Sequence, residues 1–229
     1  MPPTPLDPVA LTQALVRCPT VTPDADPALD LLEATLRPLG FACHRWRFEG
    51  HGSYPVGNLF AKLGEGRPHL AFCGHVDVVP PGDPDRWQGR DPFAGEVRDG
   101  RLYGRGAADM KSGVAAFVAA VAAHVDRHGF PPGAVSLLIT GDEEGEAVNG
   151  TVKLLARAAE EGERFDACLV GEPTCPEILG DVAKIGRRGS LTGRLAVRGR
   201  QGHVAYPQLT RNPIPVLARM VAALSDEPL

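Results

Sequence analysis

Short apolar runs that end in polar clusters, alternating with longer helix-like segments, constrain this chain more than any other feature. Residues 69–73, 135–140 and 167–170 are short and mostly apolar, the pattern of strands buried on both faces. Between them lie two helical segments: residues 110–128, rich in Ala and Val and closed by Gly129, and residues 149–161, amphipathic. Strands alternating with helices in this way predict an α/β sheet with helices on both faces. Towards the N-terminus, Asp7-Pro8 and Asp26-Pro27 are cap-plus-proline signatures. They open predicted helices running to Val16 and to near Gly40. Residues 41–48 alternate as a half-buried strand does, residues 58–63 read as another strand, and residues 95–103 read as a hairpin turning at Asp99-Gly100.

The pattern changes after Gly189. Residues 191–198 alternate as a strand, and residues 212–224 read as a helix with Pro213 in its first turn. The expected division is a domain over residues 1–188 and a second, smaller α+β unit over 189–229. One strand and one helix cannot bury both of their apolar faces, so the second unit reads as unfinished.

Bulk properties narrow the function class. The chain has 229 residues, 43% of them hydrophobic, enough for a large core and one or two domains. A net charge of -4 and a pI near 6.0 give no basic excess, which argues against a nucleic-acid partner. Five cysteines without a CxxC pair fit reduced thiols better than disulfides or a cysteine zinc site. The N-terminus has neither a basic start nor an apolar run, and no stretch reads as a membrane span. The expectation is a cytoplasmic protein acting on a small molecule, away from membranes.

Four polar clusters sit where strands are expected to end: Gly74-His75-Val76-Asp77, Ala108-Asp109-Met110, Asp142-Glu143-Glu144 and Gly171-Glu172. In open α/β sheets ligands collect beyond the carboxyl ends of the strands. Asp77, Asp109, Glu143, Glu144 and Glu172 would bring five carboxylates to one pocket. Like charges at such range stay ionised only when cations neutralise them. Two divalent metals would do so, and a mixed set of His75 with carboxylates suits zinc, manganese or cobalt. Each residue alone has a plainer reading. His75 and Asp77 fit a core histidine beside a turn, Asp109 a helix cap, Glu143 and Glu144 a solvated turn, Glu172 a loop acid, and His203 a surface histidine.

Together the stretches GHVDVVPPGD, WQGRDPFAGEVRDGRLYGRGAADMKSG, GDEEGEAVNGT, GEPT, GRRGS and QGHVAYP resemble the dinuclear zinc family of aminoacylases, glutamate carboxypeptidases and deacetylases. The last two point to its desuccinylase branch. The resemblance implies a zinc-peptidase-like mixed sheet with helices on both faces, followed by the start of a lid and dimerisation domain. It implies two Zn2+ or Co2+ ions per subunit: His75 and Glu172 on one, Asp109 bridging, Glu144 on the second. Glu143 would be the general base, Asp77 would orient His75, and the peptide bond after Asp109 would be cis. His203 would reach the partner's site in a homodimer and stabilise the oxyanion. The implied reaction is removal of succinate from N-succinyl-LL-2,6-diaminopimelate, in lysine and diaminopimelate biosynthesis. Family members also supply a late histidine and a return segment that have no counterpart here. A catalytically incompetent fragment is therefore one alternative, and a deacetylase or dipeptidase relative is another.

Overall fold

The computed structural model describes residues 6–186, 189 and 192–225. The division expected at 188–189 and most of the GRRGS segment lie outside the described residues. The chain forms two compact units, Met1–Asp181 and Val182–Leu229.

Five strands make the sheet of the first unit: β1 (Ala42–Gly50), β2 (Ser53–Gly64), β3 (His69–His75), β6 (Ala134–Thr140) and β7 (Ala167–Val170), in the order β1-β2-β6-β3-β7. A separate hairpin, β4 (Glu96–Arg98) and β5 (Arg101–Tyr103), turns at Asp99-Gly100 as the sequence indicates. β1, β2 and β6 pair antiparallel, whereas β3 runs parallel to both β6 and β7. The parallel register sets His75 against Thr140 and Cys73 against Val170. Three strands therefore end at one edge, and the loops beginning at Val76, Gly141 and Gly171 leave it together.

Helices α1 (Pro8–Val16), α2 (Asp26–Leu36) and α3 (Ser112–His128) cover one face, and α4 (Thr151–Glu160) covers the other. Leu59, Ala61, Leu63, Phe72, Leu137 and Ile139 face the first group, whereas Phe60, Ala71 and Leu138 pack with Leu154 and Ala158. Alternate residues on one strand thus serve opposite cores, as the strand's two-residue period requires. The mixed sheet with helices on both faces is the expected architecture.

The details differ in places. Asp7 caps α1 through its Oδ1, which accepts from Val9 N–H at 2.9 Å. α2 instead begins at Asp26 itself, whose carboxylate pairs with Arg45 at 2.7 Å and Arg47 at 3.1 Å. The long helix starts at Ser112 rather than Met110. Residues Ala107–Lys111 form one wide turn in which Asp109 is extended, at φ -119° and ψ 100°. The run Ala107–His128 has 22 residues and is long and apolar enough to cross a membrane by length and composition alone. Val114, Ala115 and Val118 on its face are buried against the sheet, which accounts for its apolarity.

In the second unit α5 (Ile214–Ser225) is present, and Ile214 N–H donates to Asn212 Oδ1 at 3.0 Å. The strand expected over 191–198 is not observed: Leu191 lies outside the described residues, and residues 192–198 form no ladder. Alternation makes a strand only when a neighbour takes up its N–H and C=O groups. Among the described residues of this unit, the only pairing is a single bridge between Arg200 and Arg211.

Candidate metal centre

His75 closes β3 with its side chain 1% exposed. Its Nδ1 lies 2.9 Å from the main-chain oxygen of Asp77. A carbonyl only accepts, so Nδ1 carries the proton and Nε2 is the nitrogen offered to the cluster. Nε2 sits 3.1 Å from Asp109 Oδ1, 3.6 Å from Glu172 Oε1 and 3.9 Å from Glu143 Oε2. His75, Asp109 and Glu144 offer ligand atoms within 4.8 Å of one another, and so do His75, Glu143 and Glu172. Asp109, Glu143 and Glu172 are 52%, 42% and 35% exposed, so the carboxylates are open on the side facing away from the imidazole.

Asp77 is fully buried and takes no part in these ligand groups. Its carboxylate accepts from Thr22 Oγ1 at 2.7 Å, from Glu143 N–H at 3.2 Å and from Glu144 N–H at 3.1 Å. It also stands 3.5 Å from His75 Nδ1. One side chain thus touches the imidazole and the loop that bears Glu143 and Glu144. Thr22, an unremarked residue in the sequence, completes its set of donors.

Asp109 projects from the wide turn preceding α3, and its peptide bond with Met110 is cis. Met110 is buried beneath the site and its Sδ receives His75 N–H at 3.3 Å. A Cβ on Gly74 would stand 2.7 Å from the Met110 methyl, and one on Gly113 would stand 2.3 Å from the Gly171 carbonyl oxygen. Glycine at these positions lets β3, α3 and the loop after β7 approach closely enough for the ligands to meet. Lys111 is also buried, and its Nζ donates to the oxygens of Leu15 (3.0 Å) and Cys18 (2.9 Å), anchoring the Asp109 turn to the end of α1.

The electrostatics are those of carboxylates short of positive charge. Burial raises Glu172 to about 7, with Asp109 and Glu143 adding to the rise and His75 opposing it. Burial also raises Glu144, with help from Asp109, Glu143 and Asp77. For His75 burial acts downward, but the Asp77 carboxylate and Glu172 outweigh it and lift the imidazole to about 9. Asp77 moves below its ordinary range: burial opposes this, and the bonds from His75, Thr22 and Glu143 N–H prevail. An imidazole nitrogen and several carboxylate oxygens within one small volume are a donor set that fits a divalent cation.

His203 belongs to the second unit. It is exposed, and its Nδ1 accepts from Ala205 N–H at 3.1 Å within a turn that also brings its ring 6.0 Å from Tyr206.

Comparisons with known proteins bear on the family and the fold. The sequence profile of "Peptidase family M20/M25/M40" matches residues 71–226. The chain is similar to proteins named succinyl-diaminopimelate desuccinylase. One from Rhodospirillum centenum is 58% identical over 97% of this chain and 58% of the relative, and one from Parvibaculum lavamentivorans is 56% identical over 97% and 56%. The chain thus spans rather over half the length of these curated relatives. Among solved structures, human carnosine dipeptidase 1 superposes with a TM-score of 0.58 at 24% identity, covering 71% of this chain and 37% of its own. An M20 family metallo-carboxypeptidase from Sulfolobus solfataricus gives 0.58 at 21% identity, covering 72% and 37%. These likenesses bear on the fold. The profile match spans more than half of the sequence and takes in every residue of the cluster, so the chain belongs to peptidase family M20/M25/M40.

Proposed function

We propose that this chain carries the metal site of a desuccinylase that hydrolyses N-succinyl-LL-2,6-diaminopimelate to succinate and LL-2,6-diaminopimelate. The observation that carries the proposal is the convergence of His75, Asp109, Glu143, Glu144 and Glu172 at one sheet edge, in a chain 58% identical to a protein named for that reaction. GRRGS and QGHVAYP support this branch over the deacetylase and dipeptidase branches.

His75 and Glu172 would hold one ion, Asp109 would lie between two, and Glu144 would hold the second. Zn2+ fits these nitrogen and oxygen donors, and Co2+ is the alternative. When bound, such ions supply Lewis acidity to the scissile carbonyl and to the attacking water. Glu143 takes the proton of that water and returns it to the departing amine as the C–N bond breaks. Asp77 keeps the Nδ1 proton of His75 in place and holds the Glu143 and Glu144 amides, so both acids keep their aim. His203 would serve a partner subunit's site in a homodimer, donating to the developing oxyanion. The proposed division is a catalytic domain through residue 188 and a lid or dimerisation unit beyond it, in a cytoplasmic protein.

The test is hydrolysis of N-succinyl-LL-2,6-diaminopimelate by the protein carrying this chain, with added Zn2+ or Co2+. Turnover is expected, and Glu143→Gln should reduce it by roughly 100-fold or more, the scale of general-base loss. Turnover of N-acetylornithine in place of the succinyl substrate would move the assignment to the deacetylase branch.

A further inference from the structure

The loop 141–150 carries Glu143 and Glu144, and it is held at several places, among them the bond from Asn58 Nδ2 to the Asn149 carbonyl at 3.1 Å. The Asp77 carboxylate takes the amides of residues 143 and 144. Another anchor involves no residue of the ligand cluster. Asp142, 1% exposed, splits its carboxylate: Oδ2 accepts from Asn149 N–H at 3.1 Å, and Oδ1 accepts from the Tyr54 hydroxyl at 2.9 Å. The same Tyr54 oxygen accepts from Glu146 N–H at 3.1 Å. Tyr54 belongs to β2, so its hydroxyl ties the sheet to both the start and the middle of the loop.

The space at Gly145 is shaped around this hydroxyl, and the loop carries a second conformational constraint. A Cβ on Gly145 would stand 2.0 Å from Tyr54 Oη, 2.8 Å from Thr22 Cγ2 and 2.9 Å from Asp142 Oδ1, so the residue following Glu144 must be glycine for the hydroxyl to enter. Two residues on, Ala147 has φ 54°, a left-handed conformation that a residue with a side chain keeps only where its surroundings impose it. The Asn149 amide group also donates to the Tyr54 carbonyl at 2.7 Å, so Tyr54 is bound to this loop through main chain and side chain alike.

We propose that Tyr54 is a positioning residue of the metal centre: by joining Asp142 to the Glu146 amide inside the cradle left by Gly145, its hydroxyl fixes the loop that aims Glu143 and Glu144. This rests on the reading of those two acids as site groups, and it goes beyond the ligand set by assigning a role to a tyrosine about 90 residues earlier in the chain.

The test is Tyr54→Phe, which removes the hydroxyl and keeps the ring. In metal-free protein, hydrogen exchange of peptides covering 141–150 should accelerate at least 10-fold, with peptides covering β6 unchanged. In a Co2+ titration followed by visible absorption, affinity should fall about 10-fold and the band shape should change. Gly145→Ala, which fills the cradle and leaves Tyr54 intact, should accelerate exchange in the same segment, and it gives a second reading should Tyr54→Phe fold poorly. Unchanged exchange over 141–150 in Tyr54→Phe, or faster exchange there with Co2+ affinity unchanged, would overturn the proposal. If the unsubstituted chain takes up no Co2+, the metal-site reading falls, whereas the exchange experiment still decides whether Tyr54 holds the loop.

Discussion

At the residue scale, the chemistry depends on how single buried groups spend their bonds. His75 and Asp77 are two apart, and the sequence suggests a pair sharing one side of a strand end. The structure keeps them adjacent but divides Asp77 in two: its main-chain oxygen fixes the His75 proton, and its carboxylate faces amides 66 and 67 positions later. That second task could not be read in advance, because main-chain N–H groups leave no trace in residue identity. Asp77→Asn tests it. An amide puts an NH2 group in place of one of the two oxygens, and both oxygens face the Glu143 N–H at 3.2 Å, so in either orientation a donor meets a donor. The expected cost is about 1–3 kcal/mol in urea unfolding of the metal-free protein, and an unchanged midpoint would refute the bonding described. His69 offers a separate pH test away from the site. It is 3% exposed, with Nε2 2.7 Å from Ser136 Oγ and its ring edge-on to Phe165. Burial lowers its pKa, only partly offset by Glu163. Its folded value therefore lies below the unfolded value of about 6.5, and the unfolded chain binds the proton first as pH falls. The stability it contributes is complete above about pH 6.5 and declines below that. Urea midpoints should drop more steeply from pH 7.5 to 5.5 in the unsubstituted chain than in His69→Gln, and equal slopes would count against the assignment.

At the scale of elements, the strands and helices of the first unit were legible because their apolar periods were clean, and their ends were marked by Pro, Gly and Asp. α1, β3, β6 and β7 lie close to where the sequence puts them. The opening of the long helix was harder. Gly-Ala-Ala-Asp-Met-Lys contains good helix formers, and propensity alone carries the helix back to Met110. Close packing of Met110 under His75 and burial of the Lys111 cation at α1 delay it to Ser112. The same packing makes Gly113 a discriminating site. Inside a helix, Gly→Ala ordinarily stabilises by up to ~1 kcal/mol. Here the added methyl would stand 2.3 Å from the Gly171 carbonyl oxygen, which is main chain and cannot swing aside. Overpacking of this kind costs about 1–3 kcal/mol, so Gly113→Ala should lower the melting temperature despite its better propensity. A raised melting temperature would show that α3 and the loop after β7 are not in contact.

At the scale of the whole molecule, the two compact units differ in what holds them. Leu15, Leu29, Phe72, Leu137 and Ile139 are at most 1% exposed in the first, where helices cover both faces of the sheet. In the second, no described residue is buried, and α5 shows Ile214, Val216, Leu217, Met220, Val221 and Leu224 to solvent. The sequence announced the helix of that unit correctly, and its strand failed for want of a neighbour. Pattern predicts an element only as far as something exists for it to pack or pair with. Segments without buried contacts open at little free-energy cost, and proteases cleave such openings first. Limited trypsin digestion should therefore cut earliest at Lys184, Arg194, Arg198, Arg200, Arg211 or Arg219, all exposed or unshielded by a core, and leave a resistant fragment that ends near Lys184. Mass measurement of the first products decides the matter. Initial cleavage at Arg45, Arg47 or Lys62, within the strands of the sheet, would mean that the first unit is no better held than the second, and the sheet edge on which the proposed metal site depends would lose its support.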